Sequence, residues 1–142
     1  MRRRVSGVIF VLALSGGVIW TVAASAASSV ATAKLNQQVA GGGVTVTAIL
    51  LKDQVGATAI KVGLDTHSVN LDGYRFEEIA VLRDDTGKAY PPETVEKPSG
   101  GGHHREAVLR FAKLAPEVKM IELIVKDVAG VKERAFHWTL AE

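Results

Sequence analysis

The chain is 142 residues long, with 47% apolar and 23% charged side chains and no cysteine. That length supplies one domain with its own core. The missing cysteine excludes disulfide staples, a lipidated-cysteine anchor, a thiol nucleophile, cysteine-ligated zinc and thiolate blue copper. The formal charge of +2 comes from 17 Lys and Arg against 15 Asp and Glu. Arg2, Arg3 and Arg4 are three of the 17, so the remainder holds 14 basic and 15 acidic residues, a net −1. With basic residues scattered singly, no stripe follows a phosphate backbone, which argues against nucleic acid as a partner.

Arg2 to Arg4 precede an uncharged, mostly apolar run from Val5 to about Ala24, followed by the small residues Ala24-Ser25-Ala26. A positive start, an apolar middle and a small-residue cleavage site form an export signal. Residues 1–26 are therefore read as a signal peptide, with an uncleaved membrane anchor as the alternative, because the run approaches the roughly 20 residues that span a bilayer. Ser15-Gly16-Gly17 interrupts the run and no positive cluster follows it, which favours cleavage near Ala26. The expected location is extracytoplasmic: secreted, periplasmic or held at the outer face of the membrane. Any membrane contact would be through this segment alone. Residues 27–43, rich in Ala, Ser, Thr and Gln and closed by Gly41-Gly42-Gly43, read as a flexible spacer.

From Val44 to Glu142 the period is two, and turn residues interrupt it at short intervals. Val44 to Leu51 is rich in β-branched residues and ends at Lys52-Asp53. Gly56 to Asp65 sets Ile60, Val62 and Leu64 against Lys61, Gly63 and Asp65, the pattern of a half-buried antiparallel strand. Ile79 to Arg83 stops at the turn sequence Asp84-Asp85-Thr86-Gly87. Lys88-Ala89-Tyr90 returns before Pro91-Pro92 removes the next donors. Arg105 to Lys113 places Ala107, Leu109 and Phe111 on one face, and Val118 to Asp127 does the same with Ile121, Leu123 and Val125. Ala135 to Leu140 alternates Phe136, Trp138 and Leu140 against His137 and Thr139, so the two aromatics mark the core.

About seven short strands and no helix of three turns predict an all-β fold: an immunoglobulin-like antiparallel β-sandwich over residues 44–142, preceded by the N-terminal signal or anchor helix. A closed barrel or jelly roll is the alternative, because periodicity sets which face is inside but not which strands pair. The segments Leu64 to Leu71, Gly101 to Leu109 and Gly130 to Trp138 resemble a group of bacterial exported immunoglobulin-like domains that carry no assigned activity. The likeness spans about the last two-thirds of the chain. It implies the fold and the location, and it carries over no catalytic residue.

Four histidines, His67, His103, His104 and His137, are the only side chains able to gather into a transition-metal site without cysteine. If the strand before His67 neighbours the strand after His104, several imidazoles converge, and Asp65 or Asp72 completes a nitrogen and oxygen shell for copper or zinc. No close ligand spacing forces this, and ordinary loop and surface histidines are the alternative. Gly100-Gly101-Gly102 lacks the helix and the Lys-Ser/Thr pair of a phosphate loop and reads as a flexible hairpin loop. Asp65, Thr66, His67 and Ser68 offer triad residue types, but neighbours on an extended chain alternate sides, so no hydrolase is expected. Glu77-Glu78 and Asp84-Asp85 read as solvated acids, with calcium a minor alternative at the latter. Tyr74-Arg75-Phe76 has the composition of a partner contact, against the alternative that Tyr74 or Phe76 plugs the end of the sandwich. These readings predict a non-enzymatic binding or accessory module that meets an envelope protein or surface ligand and holds no cofactor. The alternative is a histidine-based copper or zinc protein.

Overall fold

A computed structural model describes residues 35–51 and 57–140. The expected signal or anchor segment, residues 1–26, and the first part of the spacer lie outside the described residues. Among the described residues nine strands and one helical turn follow in order: β1 (Asn36–Gly41), β2 (Val44–Leu51), β3 (Thr58–Thr66), α1 (Phe76–Ile79), β4 (Ala80–Asp84), β5 (Ala89–Tyr90), β6 (Thr94–Gly101), β7 (His104–Phe111), β8 (Met120–Val128) and β9 (Val131–Thr139). They form two sheets, β1-β2-β3-β7-β6 and β5-β4-β8-β9, with every pair antiparallel. Among the described residues no helix is long and apolar enough to cross a membrane.

The all-β antiparallel reading holds, and the predicted inner faces hold with it. Ile60, Val62 and Leu64 of β3, Leu109 and Phe111 of β7, Leu123 and Val125 of β8 and Phe136 of β9 are fully buried and share one core between the sheets. Each such side chain contributes about 1.5–3 kcal/mol on leaving water. Phe136 stacks on Trp138 with ring centroids 6.5 Å apart. Leu71 and Phe76, from the connection between β3 and β4, cover one end of that core.

The strand count corrects the sequence reading in two places. β1 occupies Asn36–Gly41, inside the stretch expected to be a spacer, and β6 runs through Gly100 and Gly101, expected to be a flexible loop. Both lie at the edges of the larger sheet, and neither carries an alternating run of apolar side chains. No residue of β1 or β6 is fully buried. The period-two signal is therefore missing from strands that the backbone ladder alone specifies.

The edges of the two sheets meet along a seam between β1 and β9. Arg134 points inward in phase with Phe136 and Trp138, is 1% exposed, and reaches Gly41 O at 2.6 Å and Val128 O at 3.0 Å. The side-chain amide of Gln37 donates to His137 O at 2.6 Å and accepts from His137 N at 3.1 Å, occupying one residue of the β9 edge as a strand partner would. Trp138 Nε1 donates to Leu35 O at 3.1 Å.

Candidate functional site

Antiparallel pairing brings four connections to one end of the molecule: the β1–β2 turn, the loop from His67 to Arg75, the β6–β7 turn at Gly102-His103, and the β8–β9 turn at Ala129-Gly130. Gly42 and Gly43 have φ of 61° and 78°. A Cβ on Gly42 would lie 2.2 Å from Ala129 O, so the first and last turns touch and only glycine fits between them. The His67 to Arg75 loop is tied down along its length. Thr66 Oγ1 donates to Gly43 O at 2.6 Å and accepts from Ser68 N and Val69 N, both at 3.2 Å. Leu71 N donates to Gly102 O at 2.8 Å, and Gly102 N donates to Asp72 Oδ1 at 2.8 Å. Arg105 Nη1 donates to Leu71 O at 2.9 Å and also to Tyr74 O, while its guanidinium lies 5.4 Å from the centre of the Phe76 ring. The loop end is thus a bonded surface, with His67, Ser68, Asn70, Asp72 and His103 exposed on it.

The expected histidine cluster divides. β3 and β7 are neighbours, as convergence required, and Asp65 faces His104 across the pair. His104 Nδ1 bonds Asp65 Oδ1, and its Nε2 lies 3.8 Å from Glu106 Oε2. The bond from Asp65 raises the His104 imidazole above its ordinary value of 6.5, because the carboxylate favours the charged ring. Lys61, 2.8 Å from Glu106, holds that carboxyl below its ordinary value. His103 sits in the turn, and its carbonyl accepts Thr66 N at 2.9 Å. His67 is at the same end, whereas His137 belongs to the other sheet and lies towards the opposite end of β9, 3.7 Å from Glu122. Among the described residues no three His, Asp or Glu side chains are grouped to hold a metal ion.

The Tyr74-Arg75-Phe76 triplet does not form one surface. Phe76 is 2% exposed and belongs to the core, which takes it out of the contact patch and agrees with the alternative that it plugs the end of the sandwich. The reason is position, since α1 turns Phe76 and Ile79 inward. Tyr74 is half-buried, with its hydroxyl accepting Ala129 N at 2.9 Å and so joining the β3–α1 loop to the β8–β9 turn. Arg75 is exposed and pairs with Glu77 at 2.7 Å and Glu78 at 3.4 Å.

Asp84 is more than a solvated turn acid. It is 7% exposed, and its Oδ1 accepts Thr86 Oγ1 at 2.6 Å, Thr86 N at 2.9 Å and Lys88 N at 3.0 Å, while Oδ2 accepts the Tyr90 hydroxyl at 2.8 Å. These donors, the Thr86 hydroxyl foremost, hold its carboxyl at about 2. Thr86 and Lys88 of the turn and Tyr90 of β5 supply these donors, so the carboxylate organises the β4–β5 connection. At the same end, a shallow groove of about 250 Å³ runs past Arg83, Met120, Glu122 and His137. No family model, curated protein or solved structure matches the chain.

Proposed function

We propose that the chain is an exported, non-enzymatic immunoglobulin-like module that binds an envelope protein or surface ligand through its loop end. The observation that carries this reading is the strand order. Named from β2 as A, B, C, C′, D, E, F and G, the sheets read A-B-E-D and C′-C-F-G, with β1 added outside A. That order supports an immunoglobulin-like arrangement, in which loops B–C and F–G share one end and carry recognition in variable domains. Here the corresponding connections are His67 to Arg75 and Ala129-Gly130, bonded to each other through Tyr74. A surface held this firmly loses little conformational entropy on binding. Export rests on the order of charge, apolar run and small residues in 1–26.

Two measurements test the two halves of this reading. A reporter active only outside the cytoplasm, fused to the C-terminus, is expected to be active and to fall silent when residues 1–26 are deleted. A photo-crosslinker at Asn70 is expected to trap a heavier species in intact cells, and one at Glu117, at the opposite end, is not. A silent fusion removes the export half, and equal trapping at both positions removes the loop-end half.

A second reading, copper or zinc binding through His67, His103 and His104, draws support from the Asp65–His104 pair alone. Calorimetric titration with each metal separates it from the first. Unchanged affinity after His103→Ala plus His104→Ala rejects it.

A further inference from the structure

The two sheets have four outer edges, and three are defended. β6 breaks its register with β7 between Glu96 and Ser99, where Lys97 takes a φ of 48° and Pro98 lacks a donor. β5 is only two residues long and runs into Pro91-Pro92. β9 carries Lys132 and Glu133 beside its outer edge, and its His137 backbone is capped by Gln37. Charge, proline, bulges and short length are the devices that keep an edge from pairing with another chain.

β1 has none of them. Its register with β2 is unbroken from Asn36 opposite Ile49 to Gly41 opposite Val44. Across a two-residue turn Gly41 and Val44 exchange their backbone bonds, so Asn36, Gln38 and Ala40 turn their N–H and C=O groups away from β2. Among the described residues no hydrogen bond engages those outward groups of Gln38 and Ala40. The side chains of Asn36, Gln38 and Ala40 are exposed. Moreover, not one charged residue lies between Lys34 and Lys52, in a chain where 23% are charged. The face around this edge is therefore uncharged as well, formed by Asn36, Gln38 and Ala40 beside Thr45, Thr47 and Ile49. Depletion of charge marks the centre of a contact surface.

We infer that the β1 edge pairs with β1 of a second copy, antiparallel about a two-fold axis, joining the two larger sheets into one. The occupant is a second copy because an uncharged strand meets no like-charge repulsion when placed against itself, and because a two-fold edge pairing needs only one kind of strand. Gln38, near the middle of β1, would face its own counterpart, where two side-chain amides can exchange hydrogen bonds. A six-residue edge is small, so the association is weak and depends on concentration.

The test uses the chain in the form the cell carries, followed by sedimentation velocity from about 5 μM to about 1 mM. Mass is expected to rise towards twice the monomer value as concentration increases, with the amides of Gln38 and Ala40 gaining protection from hydrogen exchange over the same range. Ala40→Pro removes an outward N–H that β2 does not use, and Gln38→Lys sets like charges near the axis. Each is expected to weaken association at least about tenfold while far-ultraviolet circular dichroism stays unchanged. A monomer at every concentration overturns the inference. So does a dimer that survives both substitutions, or one in which Gln38 and Ala40 remain unprotected.

Discussion

Arg134 shows how a single residue spends polar chemistry on architecture. A guanidinium at 1% exposure with, among the described residues, no carboxylate paired to it is costly, and burial lowers its affinity for the proton. Two carbonyls, Gly41 O and Val128 O, offset that cost by accepting charged donors, and in doing so they tie the β1–β2 and β8–β9 turns together. Arg134→Ala is expected to lower unfolding free energy in urea by about 2–4 kcal/mol, since both carbonyls lose a charged donor and a gap remains. Arg134→Met fills the space without a buried charge and is expected to cost less. Asp84 acts differently, through pH. Its folded value of about 2 lies below the ordinary 3.8, so its contribution is complete above 3.8 and disappears as pH falls through about 2. Urea midpoints of the parent and Asp84→Asn should therefore differ at neutral pH and converge near pH 2. The carboxylate was visible in the sequence as part of a turn, but the hydroxyl of Tyr90 that completes its shell lies across a strand pair, where spacing gives no signal.

At the level of elements, the strands that periodicity found are those buried on one face, and the ones it missed are edges. β3 writes its orientation in Ile60, Val62 and Leu64 because a slip of one residue would move all three into water. β1 has only Val39 packed against the core, with Leu35 just before it, and its residues Asn36, Gln37 and Gln38 look like linker. What places β1 is the turn. Gly42 and Gly43 adopt left-handed conformations that close a two-residue hairpin, and Gly42 also lies against Ala129. Gly42→Ala meets both a positive φ and the Ala129 carbonyl, and is expected to cost about 1–3 kcal/mol and to speed hydrogen exchange in β1 ahead of β3. Equal exchange in both strands would show that the hairpin does not depend on this contact.

For the molecule as a whole, one core joins both sheets, and the loop end and the seam bond them again at the surface. Unfolding of either sheet would strip the other of its covering, so loss is expected to be cooperative. In a Trp20→Phe chain, fluorescence of Trp138 and far-ultraviolet circular dichroism should trace coincident urea transitions. Separate midpoints would show that the sheets hold themselves independently. Residue order alone determined the class of fold, the inward faces of the principal strands and the turn at Asp84 to Gly87, because alternation and turn chemistry act between near neighbours in the chain. It could also pose the question of the histidines, but not answer it. Whether His104 meets Asp65 and which edge is left open were decided by pairing between strands far apart in sequence. Those outcomes depend on which ladders form across the sheets, and the physical interactions that choose among ladders exist only once the chain has closed on itself.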